Sequence, residues 1–299
     1  MGASGMRVLP RWVPKADAIE KEETRWEHKG RTTRSIFRTL VPEATTALVR
    51  ACRARGVTAS GALCAAAVLG ASDAMGEVED PEEGPVPQRY KLLQALDMRT
   101  MNFGEGEQND PSARDNWCED TVVAGTGSLD ILIDLPPSAG TAAREESGGL
   151  AAFWDAAAEC NAQTRKWIAS GWARDSLLLF SSGWEFMNMN RVVELGSQDR
   201  ATLGRAYSAG VSNVGVFAHP TTYGDIQLSR LFFGISNSVS SPAISLSAVT
   251  VDGSLCLAVQ YASPIWPDDE AIAYADGLVS LLERAAAEGT AAEGGAAFA

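Results

Sequence analysis

From Gly61 to Ala71 the chain reads Gly-Ala-Leu-Cys-Ala-Ala-Ala-Val-Leu-Gly-Ala, a run with no charged side chain. Thr58 and Ser60 stand ahead of it as N-caps, and the pattern predicts a helix to about Met75 whose residues Ala62 to Leu69 are apolar on every face. The run falls well short of the roughly 20 residues that cross a bilayer. Such a helix must be wrapped by protein on all sides, which takes several layers of structure. With 299 residues, 45% hydrophobic and 21% charged, the chain can supply them, and its composition lies far from that of disordered proteins.

The elements expected around this helix follow from local patterns. Ser35 to Leu40 alternates like a strand, and Pro42 with Glu43 opens a helix of about three turns with Gly56 at its C-terminal cap. Tyr90 to Arg99 is extended, with Tyr90, Leu92, Leu96 and Met98 on one face. After the polar loop Asn102 to Glu119, strands are expected at Thr121 to Ala124 and Leu129 to Leu135. A helix is expected from about Gly149 to Ser170. Further strands are expected over Ala206 to Val216, Ile226 to Ile235, Ala243 to Val251 and Ser254 to Tyr261. Asp252-Gly253 joins the last two, the residue pair that a two-residue hairpin demands. Pro267 with Asp268, Asp269 and Glu270 opens a helix striped by Tyr274, Leu278, Leu281, Leu282 and Ala285. Residues 1–34 read as a leader or linker, 35–287 as the folded unit, and 288–299 as a frayed low-complexity tail.

Charge and cysteine usage exclude several functions. The 25 Lys and Arg against 38 Asp and Glu give a net charge of −13, which repels nucleic acid. Cys52, Cys64, Cys118, Cys160 and Cys256 are odd in number and form no C-x-x-C pair, which suits a reducing, cytoplasmic compartment. No signal peptide or membrane span is expected. Only two histidines exist, His28 and His219, so neither a His/Cys metal site nor a G-x-S-x-G hydrolase elbow is in sight. His219 precedes Pro220 and reads as a loop residue, but it is the single candidate base in the folded region. Gly125-Thr126-Gly127-Ser128 lacks the remaining elements of a phosphate loop and reads as a turn. Asp97 and Arg99, two apart on a strand, share a face. Ser212 and Asn213 interrupt an apolar strand, so their side chains either find partners or face a cavity.

Taken in order, these segments resemble the C-terminal half of an alcohol O-acetyltransferase. The likeness is carried by Phe37-Arg38-Thr39-Leu40-Val41-Pro42 with its helix, and by Arg55-Gly56-Val57-Thr58-Ala59-Ser60-Gly61-Ala62-Leu63 opening the apolar helix. Asp97-Met98-Arg99, Val211-Ser212-Asn213-Val214-Gly215, Tyr223-Gly224-Asp225 to Phe233-Gly234, and the hairpin Ser245 to Tyr261 follow in the same sequence. It spans about Ser35 to Ala287. The superfamily includes condensation domains of peptide synthetases and polyketide-associated acyltransferases, similar in fold to chloramphenicol acetyltransferase.

The resemblance implies an α/β fold, a mixed and mainly antiparallel sheet with packed helices, forming one lobe of a two-lobed acyltransferase. It implies an alcohol and an acyl donor as small-molecule partners, acyl-CoA as co-substrate and no bound cofactor. Asp97, Arg99, Ser212, Asn213 and Gly215 become candidates for the tunnel or lobe interface, with Asp97 and Arg99 expected as a buried structural pair. Family enzymes carry His-His-x-x-x-Asp-Gly in the N-terminal half, the second His being the general base. Here His28 is followed by Lys29-Gly30, so the chain is expected to be a truncated, inactive lobe that needs a His-bearing N-terminal lobe or partner chain. The alternative is a non-catalytic binding or scaffold lobe.

Overall fold

The computed structural model describes residues 32–76, 79–80, 84–98, 126–145, 150–172, 175–176, 189–197, 202, 204–238 and 240–296. His28, Arg99, Cys118, and the strand expected at Thr121 to Ala124 lie outside the described residues.

β1 (Thr32–Leu40) hands over at Val41 to α1 (Pro42–Ala54), whose first position is Pro42 and whose end is marked by Gly56 at φ +67°. Proline there has its φ already set and gives up only an N–H that no helical partner would use. α2 (Ala59–Met75) starts with the Thr58 hydroxyl accepting from the Gly61 N–H at 3.1 Å. Ala62 to Leu69 are all buried, as an apolar run of that kind requires. β2 (Gln88–Asp97), β3 (Thr126–Leu135), α3 (Ala139–Arg144), α4 (Ala151–Ala169), α5 (Met189–Ser197) and β4 (Ala209–Val216) follow. β5 (Ile244–Val251), β6 (Ser254–Ser263) and α6 (Asp268–Ala296) complete the chain, so the helix runs into the Ala/Gly/Glu-rich tail.

One sheet, in the order β1-β6-β5-β4-β2-β3, forms the frame. β4 runs parallel to both β2 and β5, and the other pairs are antiparallel. All the large helices lie on one side, where α2 packs between α4, α3, α6 and the sheet. Leu92, Ile131, Leu246, Leu257 and Val259 fill that side. At the β3 edge, the Gln163 side chain of α4 accepts from the Leu132 N–H and donates to the Leu132 carbonyl. These bonds satisfy backbone groups that an edge strand leaves open.

The Asp252-Gly253 hairpin is present, with φ +48° and +78° at its two central residues, the pair of positive angles that matches the twist of the flanking strands. Two expectations are corrected. Thr126, Gly127 and Ser128 are not a turn but the first residues of β3, paired with Asp97, Leu96 and Ala95. Glycine at 127 serves a close approach, since a Cβ there would lie 2.3 Å from the Met98 sulfur. Of the strand expected over Ile226 to Ile235, only Ile226–Gln227 forms a short ribbon with Thr222–Tyr223. The rest crosses the face of the sheet opposite the helices. There the Asn237 N–H donates to the Thr33 hydroxyl at 2.9 Å and Phe232 packs at a tilt against Phe37 with centroids 5.0 Å apart. Its apolar residues cover Val249, Val251 and Cys256, so the pattern serves a surface rather than a strand edge.

Among the described residues no single helix is long and apolar enough to cross a membrane.

A candidate ligand cavity on the open face

Side chains alternate across a strand, so the residues facing away from the helices can be read from register. Asp130 lies opposite Leu93, Leu93 opposite Gly210, and Gly210 opposite Ser245. The next row holds Ser128 beside Ala95, and Ser212 beside Ser247. Apart from Leu93 and Asp130 these are small residues, and their smallness leaves a hollow. A cavity of about 630 Å³ occupies it, walled by Met98, Trp172, Tyr207, Ile235 and Pro242. Its size is that of a small-molecule site.

The polar groups fall at two ends. At one, the Asp130 carboxylate accepts from the Tyr207 hydroxyl at 2.9 Å and pairs with the Lys91 ammonium at 2.6 Å, which also sits 4.7 Å over the Tyr207 ring. Burial, and then the bond to Asp130, push the Tyr207 phenol well above its ordinary value, so it stays a donor. At the other end are serines. The Ser247 hydroxyl donates to the Gln260 side-chain oxygen at 3.0 Å. Ser245 is buried, and its hydroxyl has no hydrogen-bond partner among the described residues.

The residues singled out in the sequence separate here. Ser212 lines the cavity. Asn213, one residue on, points to the helix side: its amide donates to the Ser60 hydroxyl at 3.0 Å, and its oxygen accepts from the Gly215 N–H at 3.0 Å. Gly215, at φ +77°, sits in the bulge that ends β4. Asn213 and Gly215 therefore shape the strand end and tie it to the start of α2. Asp97 ends β2 on the cavity side and is exposed there, while Arg99, its expected partner, lies outside the described residues. His219 is exposed, stands edge-on to Phe217 at 5.3 Å, and is absent from the cavity lining. Lys91, Asp130, Tyr207, Ser245 and Ser247 were missed. The serines had a signal, since Ile244-Ser245-Leu246-Ser247-Ala248 places two hydroxyls on one face of an apolar strand. No group of three or more His, Cys, Asp or Glu that could hold a metal ion occurs among the described residues.

No family model and no curated protein matches the sequence. Among solved structures the chain is similar to the trichothecene 15-O-acetyltransferase TRI3 from Fusarium sporotrichioides, with 12% identity and a TM-score of 0.60 over 85% of this chain and 47% of that one. It is also similar to the epimerization domain from the third module of tyrocidine synthetase B, with 14% identity and a TM-score of 0.56 over 98% of this chain and 54% of that one. The chain thus spans about half the length of these solved structures. The fold is of the condensation-domain and acyltransferase type that the sequence motifs suggested.

Proposed function

We propose that the chain is the C-terminal lobe of an acyl-CoA-dependent alcohol O-acyltransferase-like enzyme, cytoplasmic, and inactive by itself. The observation that carries this reading is the cavity on the face of the sheet opposite the helices, in a fold of the acyltransferase type. Transfer from a thioester to a hydroxyl needs a base of near-neutral pKa within hydrogen-bond reach, worth about 10²–10⁴ in rate. Asp130 is the one carboxylate among the described lining residues, and both its oxygens are engaged by Lys91 and Tyr207. In this reading the base comes from a His-bearing lobe or partner chain facing the cavity, with alcohol and acyl donor between the two. A lone lobe leaves the reacting groups in water, where hydrolysis competes. Val214, Val216, Tyr223 and Ile226, 54–74% exposed, are the apolar surface such a lobe would cover, and through them the isolated chain is expected to self-associate.

The test is thiol release from acetyl-CoA with a panel of short and medium alcohols, on the wild type and His219→Ala. Neither should exceed background. Ester formation by the wild type that vanishes in the variant would overturn the reading and make His219 the base. The engaged state of Asp130 equally favours a non-catalytic binding lobe. Adding a His-bearing lobe separates the two readings, since transfer appears only in the first.

A further inference from the structure

We propose that Ser245 is the polar recognition point of the cavity, and that the cavity takes an uncharged, mainly aliphatic molecule bearing one hydroxyl or carbonyl oxygen. The inference deepens the reading of this face as the substrate face. It stands on an observation that the fold alone does not explain.

Ser245 is 5% exposed, lines the cavity, and its hydroxyl has no hydrogen-bond partner among the described residues. Burying a hydroxyl without a partner is costly, and such groups in native proteins call for a reason. Its neighbours do not supply one. The Ser247 hydroxyl is committed to Gln260, whose amide donates in turn to the Ala258 carbonyl at 3.0 Å and the Phe233 carbonyl at 3.4 Å. Across from Ser245, β4 carries Gly210, where an added Cβ would lie 3.2 Å from the Ser245 oxygen and 3.0 Å from Pro242. Glycine at 210 keeps clear the space in front of the hydroxyl.

The rest of the cavity selects against charge. Lys91, the cation at its ionic end, is already paired with Asp130. Asp130, which holds it, is three strands away from Ser245 along one row, roughly 14–15 Å at the usual strand spacing. Between them the floor is Leu93 and Gly210, with Ala95 and Ser212 in the next row. A carboxylate or phosphate brought to Ser245 would lose its water and meet no cation among the described lining residues. A neutral oxygen on an aliphatic body gives the hydroxyl a partner and the floor an apolar cover.

The experiment compares 1-octanol, 2-octanone, octane and octanoate as ligands of the full chain by ligand-observed NMR titration, for the wild type and Ser245→Ala. Octanol and octanone should bind, with octanoate at least tenfold weaker. Ser245→Ala should weaken octanol and octanone by about 3- to 10-fold, the worth of one net hydrogen bond, and leave octane unchanged. The melting temperature of the ligand-free variant should be unchanged or higher, because the substitution removes an unsatisfied buried group. A lowered melting temperature would show that the hydroxyl has a structural role. That result, an equal loss for octane, unchanged octanol affinity, absent octanol binding, or octanoate binding as tightly as octanol, would each overturn the proposal. Binding needs no acyl transfer, so octanol bound in a Ser245-dependent way while no thiol is released even with a His-bearing lobe added would sink the acyltransferase reading and leave this site standing.

Discussion

The helix-covered and open faces of the sheet are made by the same strands, one residue out of step. On β5, Ile244, Leu246 and Ala248 enter the main core while Ser245 and Ser247 line the cavity. On β4, Ala209 and Val211 belong to the core and Gly210 and Ser212 to the cavity floor. The period of two thus writes a core and a binding surface into one segment. Stability is concentrated on the face where large side chains meet α2 and its neighbours. The other face is shaped by what is small, and it tolerates an unpartnered hydroxyl that the core could not.

Four outcomes break or sharpen this contrast. Leu257, fully buried on the helix side, should cost about 2–5 kcal/mol when cut to alanine, measured by chemical denaturation. A loss under about 1 kcal/mol would erase the difference between the faces. Gly253→Val comes next, because the turn that sets the register of β5 and β6 needs φ +78° there and a Cβ would meet Pro42 at 3.1 Å. About 1–3 kcal/mol of stability should be lost, with aggregation through unpaired strands; equal solubility and stability would show that the turn does not hold the hairpin.

The third concerns alkaline pH. Burial pushes the Cys52 thiol of α1 from 9.0 up to about 11, and raises the buried Tyr274 phenol of α6, which donates to the Ala67 carbonyl. A raised pKa means the folded state holds its proton longer, so the contribution is complete below the unfolded value and disappears as pH climbs through the folded one. Stability should hold to about pH 8.5 and fall between pH 9 and 11, by at most about 1.4 kcal/mol per pH unit for each group. Cys52→Ala should flatten that limb; an unaltered slope would count against thiol burial as its cause. Tyr207 on the open face is shifted in the same direction. The smallest effect is expected at Asp97, exposed at the end of β2: Asp97→Asn should change stability by less than about 1 kcal/mol, and a loss of about 3 kcal/mol would mark the buried pair that the sequence suggested.

What the sequence determined by itself was whatever depends on near neighbours in the chain. The apolar run of α2 with its Thr58 cap, Pro42 at the head of α1, the alternation of β3, the Asp252-Gly253 turn and the stripe of α6 are all local signals, because periodicity and backbone angles are set within a few residues. Tertiary structure decided what depends on partners far along the chain. Gly127 reads as a turn residue until Met98 is laid against it, and Ile226 to Ile235 reads as a strand although the available partner is a sheet face and not an edge. Ser212 and Asn213, adjacent and chemically alike, go to a cavity and to a helix start, since one position of register reverses the side a residue faces. Asp130, Lys91 and Tyr207 converge only when β2 and β3 pair and the approach to β4 folds over them. Ser245 acquires meaning only through Gly210 opposite, because a hydroxyl is left open by the shape of its surroundings, which no single segment encodes.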